Sequence, residues 1–531
     1  MENLIIAKLT ECLERCRTLL DNGDVPEIAR CIDDSLARLN LPMQLAIIGK
    51  ISSSKSTLVN AILGKAEVVR TGKMEETFNV SWLKYGSEND DVEVTFKDGH
   101  KEMIPRHEWA VWSSRKGENA FRENVKYITV TYPHDILKKI NIIDTPGLSA
   151  DSKVDSQNTI DFLKEVKPDA VLLLFPKSID NDSLSVLNDF QNSEVASKFS
   201  LSPLNAIGIL AKPDTLWAAS HSDIHPIKEG KRIVEALYHD YPQLKSSLFS
   251  IYPVSALLGL ASSVIGTEEQ KALSSLSQVD ECTLKKMLSA PVFLTMNYPD
   301  VCVSTEERKK LYVKLGNYGI FAAVRHIKST PQWSLRSLTE SLQNESGLST
   351  FSRTLFSHFG ERAALIKSQN SIKCVIDACE SLCNSRKYSN LDKLHQVQEI
   401  LIGELLSIHE FEEWDNLSKI YNGELTSQIP QALDEYKRIC GENGASLWER
   451  LNVAPETSKE IMKQTIESRI QYWTRKFNIE RQRNPKEVRV YKMILRSYRV
   501  LLEKTNQMTK DEAKARQTLA IANHFFYGQI D

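Results

Sequence analysis

The sequence predicts an α/β domain with a mostly parallel sheet, joined to an elongated all-α helical bundle. From Gln44 to about residue 265, short apolar runs alternate with turn residues and helical segments, which is typical of parallel strands covered by helices. Beyond residue 265 the apolar residues recur at helical spacing instead. A chain of 531 residues is long enough for about two to four domains, so both parts fit.

Composition indicates a globular protein of an ordinary kind. Apolar residues make up 41% and charged residues 26%, which argues against disorder and against a disulfide scaffold. The net charge of −2 argues against nucleic-acid binding over the whole surface. Nine cysteines without a C-x-x-C pair indicate a reducing compartment, so we expect a cytoplasmic protein. We expect no secretory signal, because the first apolar stretch contains acidic and polar residues, and no transmembrane helix, because no apolar window of about 18 residues occurs. We therefore expect any membrane contact to be peripheral.

Several elements can be predicted from the spacing of apolar residues alone. Residues 2–40 predict two helices whose apolar stripes need a partner, and the helices after the α/β domain are the expected one. A stalk-length helix is expected from about residue 348 to 381, and another from Asp392. The strands of the sheet are expected at QLAIIG, FNVSWLKY, VKYITVTY, KINIID, DAVLLLF, AIGIL and FSIYPV.

A phosphate-binding loop is predicted directly after the first of these strands. The order strand, loop, helix lets backbone N–H groups and a helix N-terminus cradle phosphates. Lys55 is expected to reach the β- and γ-phosphates, and the Ser56 hydroxyl to bind Mg²⁺. Ser54 stands where the pattern has glycine, so a residue with a Cβ must adopt that backbone conformation. The loop residues expected around the phosphates are Gly49, Ser52, Ser53, Ser54, Lys55, Ser56 and Thr57.

Three further motifs follow predicted strands and indicate guanine-nucleotide binding. Asp144-Thr-Pro-Gly147 offers a carboxylate for a water on Mg²⁺ and a Gly147 N–H for the γ-phosphate. Lys212-Pro-Asp214 offers a carboxylate for guanine N1 and its exocyclic amine, with the lysine stem along the base. Ser255-Ala256 places a backbone N–H where it can reach guanine O6.

With these motifs in this order, residues 44–256 resemble the GTPase domain of the dynamin superfamily, in its bacterial dynamin-like branch. The resemblance implies that Thr77 is the switch I threonine, which would complete Mg²⁺ coordination and help to position the attacking water. It also implies that Ser52 helps to bind a charge-compensating cation. The chain departs from the family at Ile51, where many dynamins have glutamine, and at Ala211, where they have threonine or asparagine. Together with Ser54, these departures suggest weak binding or slow turnover.

The resemblance implies a function and a division of the chain. It implies Mg²⁺-dependent hydrolysis of GTP to GDP and phosphate, with Lys55, Thr77 and Ser52 as catalytic residues. Metal binding would fall to Ser56, Thr77 and, through water, Asp144. It also implies a homodimer or higher homo-oligomer formed through the GTPase domain, and remodelling or tethering of membranes. The expected parts are N-terminal helices at 1–42, the GTPase domain at 43–265, linking helices at 266–345 and the helical stalk at 346–531.

Two other functions stay open on the residues alone. Ser54 and Ile51 favour a non-hydrolysing, guanine-nucleotide-regulated interaction protein. The basic segment 469–504 holds eleven Lys or Arg against three Glu, with aromatic residues between them. It fits an anionic membrane surface, or the RNA contact of an RNA- or ribosome-associated GTPase, although nucleic acid is the weakest of these interpretations. The same pattern also fits bundle helices with a solvated charged face and an aromatic core.

Overall fold

The fold is known from a computed structural model that comprises two units. It describes residues 2–20, 25–50, 52–69, 80–112, 124–147, 165–178, 187, 203–218, 224–289, 292–296, 298, 301–385, 391–442, 444 and 446–508. The sheet unit comprises Pro42–Ser193 and Leu204–Ser352, and the helical unit comprises Met1–Leu41, Glu194–Pro203 and Arg353–Asp531. The sequence predicts boundaries between independently folding domains at residues 42, 265 and 345. These boundaries stay predictions.

The sheet unit contains a mostly parallel sheet, as predicted. Its order is β4-β3-β5-β2-β6-β1-β7-β8-β9, with β2 antiparallel to β6, and β3 antiparallel to both β5 and β4. The strands are β1 Met43–Gly49, β2 Val80–Tyr85, β3 Val92–Phe96, β4 Lys101–Ile104, β5 Val125–Tyr132, β6 Ile140–Asp144, β7 Ala170–Phe175, β8 Ala206–Ala211 and β9 Ile251–Val254.

The central strands bring the predicted motifs to one edge of the sheet. Every residue of β1, β6, β7 and β8 is buried, as expected for parallel strands that are covered on both faces. Ile47 of β1 lies beside Asp144 of β6, and Ala211 of β8 lies beside Val254 of β9. Because these strands are parallel, the loops that follow them leave the sheet on the same side.

Helices belong to the sheet unit and also make up the helical unit. They are α1 Glu2–Leu19, α2 Pro26–Leu39, α3 Lys55–Ile62, α4 Trp109–Trp112, α5 Pro226–Asp240, α6 Leu244–Ser247, α7 Ala256–Val264, α8 Thr267–Leu276, α9 Glu281–Leu288, α10 Val292–Thr295, α11 Thr305–Ser329, α12 Leu335–Glu345, α13 Leu348–Thr354, α14 Ala363–Ser385, α15 Asp392–Ser407, α16 His409–Tyr421, α17 Pro430–Ile439, α18 Leu447–Leu451, α19 Lys459–Glu480 and α20 Pro485–Gln507. Short 3₁₀ helices span Arg106–Glu108, Asp135–Lys138 and Pro213–Leu216, and a π-helix spans Leu355–Gly360.

Helices α7 to α12 share one hydrophobic core within the sheet unit. Leu258 of α7, Leu273 of α8, Leu315 of α11 and Leu338 of α12 all lie in this core. Helix α11 bends at Gly316, whose φ of 63° lies in the left-handed region that favours glycine. Residues 266–345, which the sequence assigns to linking helices, therefore lie in the sheet unit.

In the helical unit the two N-terminal helices pack against helices that follow much later in the chain. The Ser35 hydroxyl of α2 donates to the Ser371 carbonyl of α14 at 3.1 Å. Lys367 of α14 donates to the carbonyl of Leu41, just after α2, at 2.6 Å. These contacts join α2 and the residues just after it to α14 within the helical unit.

The long helix predicted over 348–381 is interrupted, so that prediction is wrong in this respect. Helix α13 ends at Thr354, the π-helix follows, and α14 begins at Ala363. At the break, the buried Arg362 donates to the Cys440 carbonyl at 2.9 Å and to the Gly441 carbonyl. Its guanidinium also lies 5.4 Å from the ring centre of Trp414. The break thus places the Arg362 guanidinium where it donates hydrogen bonds to the two backbone carbonyls that follow α17.

The basic segment 469–504 forms most of α19 and α20, which pack together. Trp473 of α19 and Tyr491 and Tyr498 of α20 are buried, so these rings are not available for stacking on nucleic-acid bases. Tyr472 is 49% exposed. None of the helices in the described part of the chain is long and apolar enough to cross a membrane.

Candidate functional site

The loop between β1 and α3 has the shape of a phosphate-binding loop. A Cβ on Gly49 would lie 2.4 Å from the Leu174 carbonyl oxygen, so the loop leaves the sheet at a point where only glycine fits. Ser52 and Ser54 both adopt left-handed conformations, with φ of 61° and 71°. Helix α3 then begins with a bond from the Leu58 N–H to the Ser54 carbonyl at 2.8 Å. The serine at the glycine position therefore keeps the left-handed backbone, at a cost in strain.

Lys55 lies beneath this loop with its ammonium group buried. Its Nζ donates to the carbonyls of Gly49 at 3.0 Å and Lys50 at 3.1 Å. Burial lowers the pKa of Lys55 to about 8, and the charge of Asp144 opposes this shift. A cation that is desolvated and held by carbonyl oxygens gains much from a phosphate placed above the loop.

Ser56 and Asp144 form the pair on which the metal prediction depends. The Ser56 hydroxyl donates to Oδ2 of Asp144 at 2.7 Å. Asp144 is fully buried, and its Oδ1 has no hydrogen-bond partner in the described part of the chain. Burial raises the pKa of Asp144 to about 6, against the opposing effects of Lys55 and Ser56. A hydroxyl and a carboxylate oxygen are hard ligands that suit Mg²⁺, so these residues fit the metal.

On the guanine side, the loops after β8 and β9 meet each other. Burial raises the pKa of Asp214, and the nearby Ser255 hydroxyl opposes this shift. The Oδ1 of Asp214 has no partner among the described residues and can accept from a base. Ser255 also caps α7, whose first residue is Ala256. Lys212 precedes the 3₁₀ helix of Asp214 in a left-handed conformation with φ of 54°.

The structure brings some predicted residues together and leaves others outside its description. Lys55, Ser56 and Asp144 are neighbours, and so are Asp214 and Ser255. Gly147 is buried at the end of the segment that follows β6. Thr77 and Ile51 lie outside the described residues, so the predicted roles of the switch I threonine and of the glutamine replacement stay predictions.

Two supporting residues were not predicted from the sequence. The Thr145 hydroxyl donates to the Ile47 carbonyl at 2.7 Å and ties the start of the D-T-P-G motif to β1. The buried Asn60 of α3 exchanges two bonds with Val69, at 2.7 and 2.8 Å. The motif itself could have indicated Thr145, but Asn60 lies in a helix without any local signal.

One protein family and several known proteins are similar to this chain. Residues 45–212 match the model of the dynamin family. The isoniazid-induced protein IniC of Mycobacterium tuberculosis is 24% identical over 454 residues, which cover 83% of this chain and 86% of that protein. The dynamin-like protein 2 of Campylobacter jejuni is 34% identical over 128 residues, which cover 24% of this chain and 20% of that protein. A solved structure of an oligomerised bacterial dynamin pair aligns over 98% of this chain and 95% of that chain, at 13% identity and a TM-score of 0.33. The family match contains the phosphate-binding loop, Asp144 and Lys212.

Proposed function

Since this chain is a dynamin-like GTPase, with the family match over residues 45–212, we propose that it hydrolyses GTP to GDP and phosphate at the site just described. The observation that carries the proposal is the bond between Ser56 and Asp144, directly beside the buried Lys55. This arrangement joins one cation, one hydroxyl and one carboxylate at the end of a phosphate-binding loop. It is the set of groups that phosphoryl transfer from a nucleotide requires.

Each residue contributes by binding or by orienting. Lys55 and the loop amides stabilise negative charge on the β- and γ-phosphates. Ser56 and Thr77 would hold Mg²⁺, and Asp144 would hold it through water. When bound, the ion neutralises charge that develops on the phosphate oxygens. Ser52 takes part in binding a compensating cation, and the Gly147 N–H contacts the γ-phosphate.

The base is selected by Asp214 and its neighbours. The Oδ1 of Asp214, which has no partner among the described residues, accepts a hydrogen bond from guanine, and the Ser255 hydroxyl lies beside the same carboxylate. Adenine presents an acceptor at the position of guanine N1–H, so it leaves the carboxylate unpaired. The Lys212 stem covers the base, and the Ala256 N–H lies towards guanine O6.

The proposal also includes pairing of two GTPase domains and peripheral docking on an anionic membrane. The α19 face, defined by Ile461, Tyr472 and Ile479, supports docking because these residues share one side of the helix. Their side chains are 53%, 49% and 55% exposed. Arg475 and Lys476 belong to the same side, so apolar and cationic groups are presented together.

A non-hydrolysing, nucleotide-regulated interaction protein is the second candidate. The strained left-handed Ser54 favours it, because strain in the loop weakens the grip on the phosphates. This candidate shares the binding site with the first and differs only in turnover.

The decisive experiment measures phosphate release from GTP against protein concentration, with and without anionic liposomes. The Lys55→Ala variant is the blank. Lys65→Ala is the matched control, because Lys65 is an exposed lysine that pairs with Glu88. Specific activity that rises with concentration or lipid supports a GTPase activated by pairing. Guanine-nucleotide binding without release above the blank supports the second candidate.

A further inference from the structure

The guanine side of the site is supported by a turn that lies almost a hundred residues further along the chain. The Ser255 N–H donates to the Ser346 carbonyl at 2.8 Å. Gly347 has a φ of 73°, and a Cβ there would lie 2.5 Å from the Pro253 carbonyl oxygen. The turn formed by Ser346 and Gly347 therefore presses directly on the end of β9, where the Ser255 loop begins.

The loop that carries Asp214 is anchored on helix α11. Trp217 closes the 3₁₀ helix of Asp214 through a bond from its N–H to the Asp214 carbonyl at 3.3 Å. Its ring stacks on Phe321 of α11 with 4.9 Å between centroids, and lies 6.1 Å from Tyr318. Trp217 is only 7% exposed, so the position of its loop depends on where α11 lies.

Glu345 connects these two supports. It is the last residue of α12 and precedes Ser346. Its carboxylate accepts hydrogen bonds from the Tyr318 hydroxyl and from Arg325 at 3.0 Å, and pairs with Nε2 of His225 at 3.1 Å. Tyr318 and Arg325 belong to α11, so Glu345 ties α12 to α11 beside the ring of Trp217.

A carboxylate is unfavourable at the position of Glu345 unless it has such partners. The C-terminus of a helix carries partial negative charge, which repels an acidic side chain. Burial by itself would raise the pKa of Glu345, but the bonds from His225 and Tyr318 together with Arg325 hold that pKa below its ordinary value. The ionised carboxylate is therefore retained at neutral pH as a connecting group.

We propose that Glu345 is a positioning residue for guanine recognition. By joining α11 to the end of α12, it keeps Trp217 and Ser346 where they hold the Asp214 and Ser255 loops. The inference rests on the proposed function, because it concerns the same nucleotide site. It adds a determinant of base selectivity that touches no part of the nucleotide.

The test compares binding of fluorescent GDP and fluorescent ADP by the full-length chain and its variants. Glu345→Ala should weaken GDP binding by about tenfold and lower the preference for guanine over adenine. Glu340→Ala is the matched control, since Glu340 lies on the same helix and pairs with Arg336 in solvent. It should bind both nucleotides as the wild type does. Partial unfolding reduces binding of both nucleotides alike, so the ratio of the two affinities separates positioning from a general loss of structure.

Milder variants keep the test decisive if Glu345→Ala does not fold. Glu345→Gln retains a hydrogen-bond acceptor and the shape of the side chain but removes the charge. It should therefore lose part of the preference for guanine over adenine. Trp217→Phe should keep the stacking on Phe321 and the preference, whereas Trp217→Leu should lose the preference. Unchanged ratios in Glu345→Gln and Trp217→Leu would overturn the inference while leaving the proposed function intact. Failure of the wild type to bind GDP would refute the proposed function and this inference with it.

Discussion

Asp144 and Lys55 carry opposite charges in one buried site, and burial shifts the pKa values of both groups towards neutral pH. The pKa of Asp144 is raised to about 6 and that of Lys55 is lowered to about 8. Between these values both groups are charged, which is the state that binding of a metal and a phosphate requires. The pH dependence of nucleotide binding should therefore report on Asp144.

We expect the gain in nucleotide affinity that Mg²⁺ provides to disappear as the pH falls through about 6. Protonation of Asp144 removes a negative charge from the metal site, so below its pKa the gain should fall by about tenfold per pH unit. The measurement is nucleotide affinity with and without Mg²⁺ between about pH 5 and about pH 8. Asp144→Asn is the control. Because asparagine does not titrate, the pH dependence of this variant comes from the phosphates of the nucleotide. A profile shared by the wild type and this variant would contradict the prediction.

Ser54 offers a second test at the scale of one residue. Its φ of 71° costs a residue with a Cβ about 1 kcal/mol, so Ser54→Gly should raise the free energy of unfolding by up to about that amount. The same loop should then bind nucleotide more tightly. Ser274→Gly is the control, because Ser274 lies inside helix α8, where glycine should instead destabilise by about 0.5 kcal/mol. Urea unfolding measures the free energy of unfolding of both variants. If the two substitutions change it in the same direction, the explanation is refuted.

The site could be predicted from the sequence where its chemistry is local. The loop residues and Asp214 follow strands, Asp144 ends one, and their order along the chain indicates the edge of the sheet at which they meet. Glu345 could not be predicted in this way. Its role depends on contacts with Tyr318 and Arg325 across two helices, and no spacing in the sequence records such contacts.

At the scale of elements, a buried ion pair between Glu413 and Arg450 joins α16 to α18. Arg450 donates to both carboxylate oxygens, at 2.8 and 2.9 Å, and Glu413 is only 3% exposed. Burial alone would raise the pKa of Glu413, but Arg450 and His409 hold it at about 2. A depressed carboxyl pKa stabilises the fold above the ordinary value of 4.5, and this stabilisation is lost as the pH falls towards 2.

Glu413→Gln should lower the free energy of unfolding at neutral pH by about 3 kcal/mol, since it leaves Arg450 buried without a counter-charge. The difference from the wild type should shrink as the pH falls below the ordinary carboxyl pKa. Urea unfolding followed by far-UV circular dichroism measures both effects. Asp415→Asn is the control on the same helix, because Asp415 pairs with Lys419 near the surface and should matter by only about 0.3 kcal/mol. A pH-independent difference would show that the charge of Glu413 is not the cause.

The spacing of apolar residues predicts most helices and strands, but it does not predict short charged strands or breaks within helices. Strands β3 and β4 were not predicted, because Val92–Phe96 and Lys101–Ile104 are short and carry charged residues. The break between α13 and α14 was also missed. Leu355, Phe359 and Ala363 keep gaps of four residues across it and are all buried, so the apolar pattern does not distinguish a π-turn from an α-turn.

For the molecule as a whole, the α19 face makes a prediction about membranes. Replacing Ile461, Tyr472 and Ile479 by serine should weaken binding to anionic liposomes by about tenfold or more, because their apolar surface no longer enters the headgroup region. Co-sedimentation measures the binding. Leu406→Ser is the control, since Leu406 of α15 is 61% exposed but lies on another helix. Equal losses in both variants, or none in the triple variant, would exclude this face as the docking surface.

The order of the sheet also limits how two copies of the chain can pair. In the described part of the chain, β4 and β9 are the outer strands, and unpaired backbone groups there invite strand-to-strand aggregation. Lys101 and Glu102 are exposed on β4 and oppose such pairing by their charge and hydration. On β9, Pro253 has no N–H to offer a new neighbour. Both margins thus disfavour a continuous intermolecular sheet, so we expect self-association of this chain to use other surfaces.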